Sequence, residues 1–196
     1  IGSDGYPVGS NGGKDFCSGN DWEYSNGALY LNLGAFDLST TEPVKCEIHS
    51  FAIITGGTFE GTVYNYGTIS GGKFNGDVTN DTTGKISGGT FASDKKVENK
   101  GTIEKGTFEG QVTNDSNGKI SGGTFKGDVT NHGTISDGTF EGIVTNSGNI
   151  NKGTFNGTVA NGGTITGGVF NLNAKPIGVT GGHNITWDAA YPNAKI

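Results

Sequence analysis

Residues 120–134 read Ile-Ser-Gly-Gly-Thr-Phe-Lys-Gly-Asp-Val-Thr-Asn-His-Gly-Thr, and the chain from Ile54 to Phe170 is variations on this phrase. Phe recurs at Phe59, Phe74, Phe91, Phe108, Phe125, Phe140, Phe155 and Phe170, in steps of 15, 17, 17, 17, 15, 15 and 15 residues. An Ile stands five residues before each of them, from Ile54 to Ile165. Val63, Val78, Val97, Val112, Val129, Val144 and Val159 follow the first seven, and an Asn comes two residues after each Val, from Asn65 to Asn161. A unit this short cannot be a domain, so its architecture is whatever stacking the units produces.

Gly and β-branched residues dominate the repeat, and no apolar stripe at helical spacing survives. The Ile, Phe and Val each sit between mostly polar neighbours, which is the period-2 signature of a strand with one inward side chain. Coiling satisfies this pattern: Ile stacks on Ile, Phe on Phe and Val on Val, with rungs hydrogen-bonded at roughly 4.8 Å. One rung buries three apolar side chains against the conformational entropy of fifteen or more residues, so it is stable only between neighbours. Asn suits the corners, because it tolerates left-handed backbone and its amides can form a ladder from rung to rung. Gly stands two residues before every Phe, from Gly57 to Gly168, and two before each Ile from Ile69 onward, which points to positive φ or close backbone approach. The Asn80-Asp81-Thr82 and Asn156-Gly157-Thr158 triplets match glycan acceptor sites, but the corner explains the Asn column more economically.

The expected fold is therefore all-β: a single-stranded parallel β-helix, or β-solenoid, with 15–17 residues per rung and a cap at each end. Residues 1–53 form the lead-in, cap and first strands, 54–170 the repeats, and 171–196 a last irregular rung and C-terminal cap, all one cooperative domain. Trp22 to Phe36 brings aromatics and strand-like alternation; Ile185, Trp187 and Tyr191 close the other end. Caps are needed because a bare terminal rung exposes core and an unpaired strand edge. Cys17 and Cys46 flank the first strands and are a candidate disulfide, as suits an exported protein; two unrelated buried thiols are the alternative.

Composition narrows the function classes. The 38 glycines lack Gly-X-Y periodicity, which excludes collagen. Only 31% of residues are apolar, yet they lie on a lattice, which opposes disorder. Net charge is −6 without a basic cluster, so no nucleic-acid partner is expected, and no apolar run is long enough to insert in a membrane. With Ile1 first and no Met, the chain reads as a trimmed piece of a longer protein.

Catalytic signals are missing. His49, His132 and His183 are scattered, and neither a metal set nor a nucleophile with its base can be assembled from sequence, so no cofactor is expected. The residues after Phe, including Glu109, Lys126 and Glu141, form a column of mixed charge, and Asp137 falls beneath Lys152. Three consecutive rungs carry two extra residues each, around Asp81–Gly84, Ala92–Lys96 and Asp115–Gly118. Insertions in a solenoid become surface bulges where binding sites are built, making Asp81, Asp94 and Asp115 candidate contacts to a ligand or Ca²⁺. Tyr64 and Tyr66 are the aromatic candidates within the repeat, fit for a glycan. Thr columns raise ice binding, but Lys85, Glu104 and Lys119 roughen the Ile face and charged partners flank the Thr before Phe, which disfavours it.

The unit Gly-Gly-Thr-Phe-x-Gly-x-Val-Thr-Asn-x-Gly-Thr-Ile-Ser, preceded by Asp21 to Leu31, resembles repeat regions of large surface proteins of gut-dwelling bacteria. These are right-handed β-helix proteins of adhesin-like or pectin-lyase-like type. The resemblance covers about residues 20–170 and implies a right-handed coil, export, attachment to the cell surface, and host or microbial glycans or surface proteins as partners. No catalytic residue carries over, since no motif here matches the acidic and basic sites of lyase-type helices. The leading expectation is a non-catalytic extracellular β-solenoid acting as an adhesin-like stalk or binding surface. A carbohydrate-binding module and a polysaccharide-degrading β-helix enzyme are the alternatives.

Overall fold

The computed structural model describes residues 47–171 throughout, together with strands at Cys17–Ser18, Trp22–Ser25, Ala28–Leu31, Ala35–Asp37 and Asn184–Trp187. From 47 to 171 the chain winds as a parallel β-solenoid, and each rung pairs in register with the next. Val lies beside Val from Val63 to Val159. Ile lies beside Ile from Ile54 to Ile165 and Phe beside Phe from Phe59 to Phe170. Every member of the three columns is buried. The all-β expectation holds, and none of the described residues is helical.

The Val strands form one sheet; the Ile and Phe strands share the other. In four rungs Ile and Phe belong to a single seven-residue strand, as in Lys119–Phe125, with the pairing broken or shifted across its middle. The Gly two residues before Phe sits at that break, with φ between 97° and 143° in all eight copies. The Gly two before Ile serves differently. A Cβ on Gly133 or Gly148 would lie 2.2 Å from the carbonyl oxygen of the equivalent Gly one rung back. One column thus needs left-handed backbone and the other needs bare backbone at the rung-to-rung contact.

Inside the coil the Phe rings stack with centroids 4.6–4.9 Å apart and planes within 5–12° of parallel. Near-parallel rings at that separation are slipped over one another, the arrangement the ring quadrupole favours. At the corner after Val the asparagines form the second ladder. Each Nδ2 donates to the Oδ1 of the next rung at 2.6–2.7 Å, unbroken from Asn65 to Asn161. The same Nδ2 groups also donate to a corner Gly carbonyl, at 3.0–3.3 Å. Where two residues are inserted, Asn80 reaches Gly84 and Asn114 reaches Gly118, so the ladder passes the bulges undisturbed. All donors point one way, which leaves an acceptor over at the start. Asn65 Oδ1 is buried and unpaired, above Ser50, whose hydroxyl faces Ala52 O instead.

The first rung is built by Ala28–Leu31 and Ala35–Asp37, which lie parallel to Glu47–Ser50 and Ile53–Gly56. Before it the direction reverses. Trp22–Ser25 pairs antiparallel with Ala28–Leu31, and Cys17–Ser18 pairs antiparallel with Trp22–Ser25. Cys46, and with it the candidate disulfide, lies outside the described residues. At the far end Asn184–Trp187 adds a strand to Gly167–Phe170 that places Trp187 in backbone register with Phe170.

Two substitutions test these ladders. Phe108→Asp places a carboxylate in a fully buried ring position and is expected to abolish cooperative folding, at a cost on the order of 5 kcal/mol or more; a wild-type melting curve for it would contradict the stacked core. Asn114→Asp keeps the shape but sets an acceptor against Asn131 Oδ1 and buries a charge. Burial and that facing acceptor raise the introduced carboxyl's folded-state pKa. The variant should therefore melt well below wild type at neutral pH and recover as pH falls, when the protonated acid can donate. Thermal melts that differ equally from wild type at pH 4 and pH 8 would rule out the donor role.

Candidate binding surface

The outward residues also stack in columns, and most reflect the repeat's own alternation. Thr90, Thr107, Thr124, Thr139 and Thr154 follow one another in register before Phe. Their neighbours after Phe are uneven: Lys126 pairs with Glu109 at 3.2 Å and Asn75 with Glu60 at 2.8 Å. Lys85–Glu104 at 2.8 Å and Lys152–Asp137 at 3.2 Å are the same device on the Ile side. These pairs are partly solvated and contribute little each, about 0–1 kcal/mol. Their role is to keep like charges from stacking.

The five candidate residues fall into separate places. Asp81 and Asp115 open the two bulges at the corner after Asn, where Gly84 N and Gly118 N donate back to their carbonyls at 2.8 Å. Asp81 Oδ1 accepts from both the Thr82 amide, at 2.7 Å, and its hydroxyl, at 3.0 Å. Lys100 occupies the same corner on the rung between them, which is not enlarged there, and Glu98, then Asp115 and Asp81, raise the pKa of its ammonium. Two rungs separate the aspartates by roughly 9.6 Å, too far to ligate one Ca²⁺ directly. Asp94 belongs to the second bulge along the chain, at the corner after Phe, where Lys95 binds it at 3.0 Å and lowers its pKa. Among the described residues no three His, Cys, Asp or Glu side chains gather as a metal set.

Tyr64 and Tyr66 do come together, with two partners the sequence reading passed over. Tyr64 stacks on His49 with centroids 4.8 Å apart, and Tyr66 stacks on Phe51 at 4.6 Å. His49 and Tyr66 are 6.2 Å apart, so the four rings form one cluster at the N-terminal end of the described coil. Phe51 is 53% exposed and Ile53, near it in the chain, 43%. A signal for the missing pair was present: 49 and 51 stand fifteen residues before 64 and 66, one rung back.

Beside this cluster the Val-side surface is hollowed. A half-open depression of about 240 Å³ is lined by Thr62, Tyr64, Asp77, Thr79, Lys96 and Glu98. Asp77 Oδ1 accepts from Lys96 N at 2.9 Å, and Glu98 Oε1 faces Lys100 at 3.4 Å. A second hollow of about 280 Å³, lined by Ser93, Glu109, Gln111 and Asp128 with two glycines, adjoins the bulge that carries Asp94 and contains no aromatic residue.

Farther along the coil, Asp137 shows how the backbone stabilises surface charge. Gly138 N donates to its Oδ1 at 2.9 Å, and this bond, with Lys152 second, holds the carboxyl below the ordinary range. A depressed folded-state pKa contributes stability above the unfolded value, and that contribution disappears as pH falls through the folded one. In a carbon-detected NMR titration Asp137 should titrate low, and Lys152→Ala should remove only the smaller part of the depression. Complete return to an ordinary pKa in that variant would assign the effect to the lysine instead.

The chain matches no protein-family model, no curated protein and no solved structure.

Proposed function

We propose that this chain is a non-catalytic β-solenoid of an exported, cell-surface protein, an adhesin-like stalk whose N-terminal rungs present a binding surface to glycans or surface proteins. The cluster of His49, Phe51, Tyr64 and Tyr66 carries the reading. Four partly exposed rings on neighbouring rungs contribute nothing to the inner columns, and exposed aromatic groups mark interaction sites. They stand on a scaffold whose interior is locked by the Phe and Asn ladders, so the surface is pre-organised and little ordering cost falls on binding. The likeness of the repeat to bacterial surface proteins supports export and attachment.

The nearest carboxylates support a binding role over hydrolysis. A glycoside hydrolase needs one carboxyl to donate a proton and a second to act as base or nucleophile across the same bond. Asp77 is instead engaged with the backbone of the next rung, and Glu98 with Lys100.

The test uses immobilised mucin and biolayer interferometry. The wild-type chain should bind, and a quadruple variant, His49→Thr, Phe51→Thr, Tyr64→Thr and Tyr66→Thr, should fold but lose at least about tenfold in affinity. Full binding by that variant would defeat the proposal, as would release of reducing or unsaturated ends from a polysaccharide panel incubated with the wild type.

A further inference from the structure

Tyr64 belongs to a ladder that stops. On the outward side of the Val strands, His49, Tyr64, Thr79, Glu98 and Thr113 succeed one another in register. His49 covers one face of the Tyr64 ring, with 18° between the planes. The opposite face looks along the coil axis toward the next rung, where the column holds only Thr79. Glu98 comes two rungs above Tyr64, roughly 9.6 Å away. Between them is a gap one ring thick, and it coincides with the depression of about 240 Å³. The inner Phe column shows what such a gap would otherwise hold, since rings there repeat every 4.6–4.9 Å.

We infer that this gap is a binding subsite for a single pyranose ring, stacked on the free face of Tyr64 over Thr79. The inference rests on the binding-surface reading and gives it a ligand class and a place. The negative face of an aromatic ring attracts the partially positive C–H hydrogens of a saturated ring. The residues that line the depression beside Tyr64 carry two hydroxyls, on Thr62 and Thr79, two carboxylates, on Asp77 and Glu98, and the ammonium of Lys96. Lys96 is exposed and makes no ion pair among the described residues, so its donors are available to a ligand. Asp77 Oδ2 and Glu98 Oε2 accept no hydrogen bond among the described residues, their other oxygens being used by Lys96 N and Lys100. An apolar ring face ringed by donors and acceptors matches a molecule with one C–H face and a belt of hydroxyls. A flat aromatic ligand would leave the polar rim unpaired, and a phosphorylated one would meet two carboxylates on a chain of net charge −6. The small volume admits one sugar residue, with a longer glycan running out through the open side.

Tyr66 is distinct from the subsite. It stacks on Phe51 at the corner and does not line the depression. This separation gives the test its control.

Saturation-transfer NMR with methyl glucopyranoside, methyl galactopyranoside, methyl mannopyranoside and N-acetylglucosamine probes the site. At least one should receive saturation and perturb the Tyr64 ring signals. Tyr64→Thr installs the residue that Thr79, Thr113, Thr130 and Thr145 already place in this column, and should weaken binding at least about tenfold. Thr79→Tyr keeps Tyr64 but fills the gap by extending the ladder, and should abolish binding while raising the melting temperature. Tyr66→Thr should bind as wild type does. If none of the four sugars binds, or if binding is unchanged in Tyr64→Thr and Thr79→Tyr, the subsite is overturned. Mucin binding that persists alongside either result would leave the broader surface reading intact, whereas loss of mucin binding by the wild type would remove both.

Discussion

Parallel pairing in register is the constraint on which the rest of this molecule depends. Each side chain has its equivalent one rung away, at strand spacing, on both sides. Apolar groups profit from that placement, so the inner columns are Ile, Phe and Val with hardly a departure. Amides profit as well, because each carries both a donor and an acceptor, and the Asn column becomes a single polarised chain of hydrogen bonds. Charges do not: a column of one sign would repel at every step. The outer columns therefore vary in sign and type, and the Asp81, Lys100, Asp115 series places a cation between two anions. Regularity inside and irregularity outside come from the same geometry.

That geometry explains which parts of the structure were legible in the sequence. Any position that faces its own copy leaves a periodic trace, and the Ile, Phe, Val, Asn and Gly columns were read from spacing alone. The two glycine columns looked alike as letters yet serve different ends. Gly138 adopts a φ of 134°, while Gly133 has a backbone carbonyl where its Cβ would be. Composition records that both exclude a side chain and is silent about the reason. The insertions were legible in place as well as in number: the first and third enlarge the corner after Asn, with Asp81 and Asp115 at equivalent positions, and the second the corner after Phe. That alternation is what keeps Asp94 away from Asp81 and Asp115.

The aromatic surface was half legible, and the cause is physical. Tyr64 and Tyr66 lie within the repeat and stand out against it. His49 and Phe51 lie before the first full copy, where Ser50 replaces Asn and the pattern that would have aligned them is weaker. The antiparallel start was hidden for a related reason, since alternation marks a strand without giving its direction. The sequence from Ser25 to Ala28 does contain Asn26-Gly27, a pair that favours tight hairpins, and the register of Ser25 opposite Ala28 agrees with it. Binding function, if it follows the rings, is written where the repeat is least faithful.

The Asn ladder also bears on how the molecule ages. Asparagine decays when the amide nitrogen of the following residue attacks its side-chain carbonyl and closes a five-membered imide. In this coil that nitrogen is already engaged. Tyr66, Asp81, Lys100, Asp115, His132, Ser147 and Gly162 each follow a ladder Asn, and each donates its N–H to a carbonyl one rung back, at 2.7–2.9 Å. The attacking group is held away from its target by the bonds that define the coil, and the side-chain amide is held in turn by its neighbours. Even Asn161-Gly162, a pair that cyclises readily in a free peptide, is restrained in this way. Asn156-Gly157 is held less firmly: Asn156 is exposed on the surface, where its Oδ1 accepts from Asn171 Nδ2, and Gly157 N reaches Phe140 O only at 3.4 Å. Chemical wear should therefore begin on the outside of the coil, leaving the ladder that supports it intact.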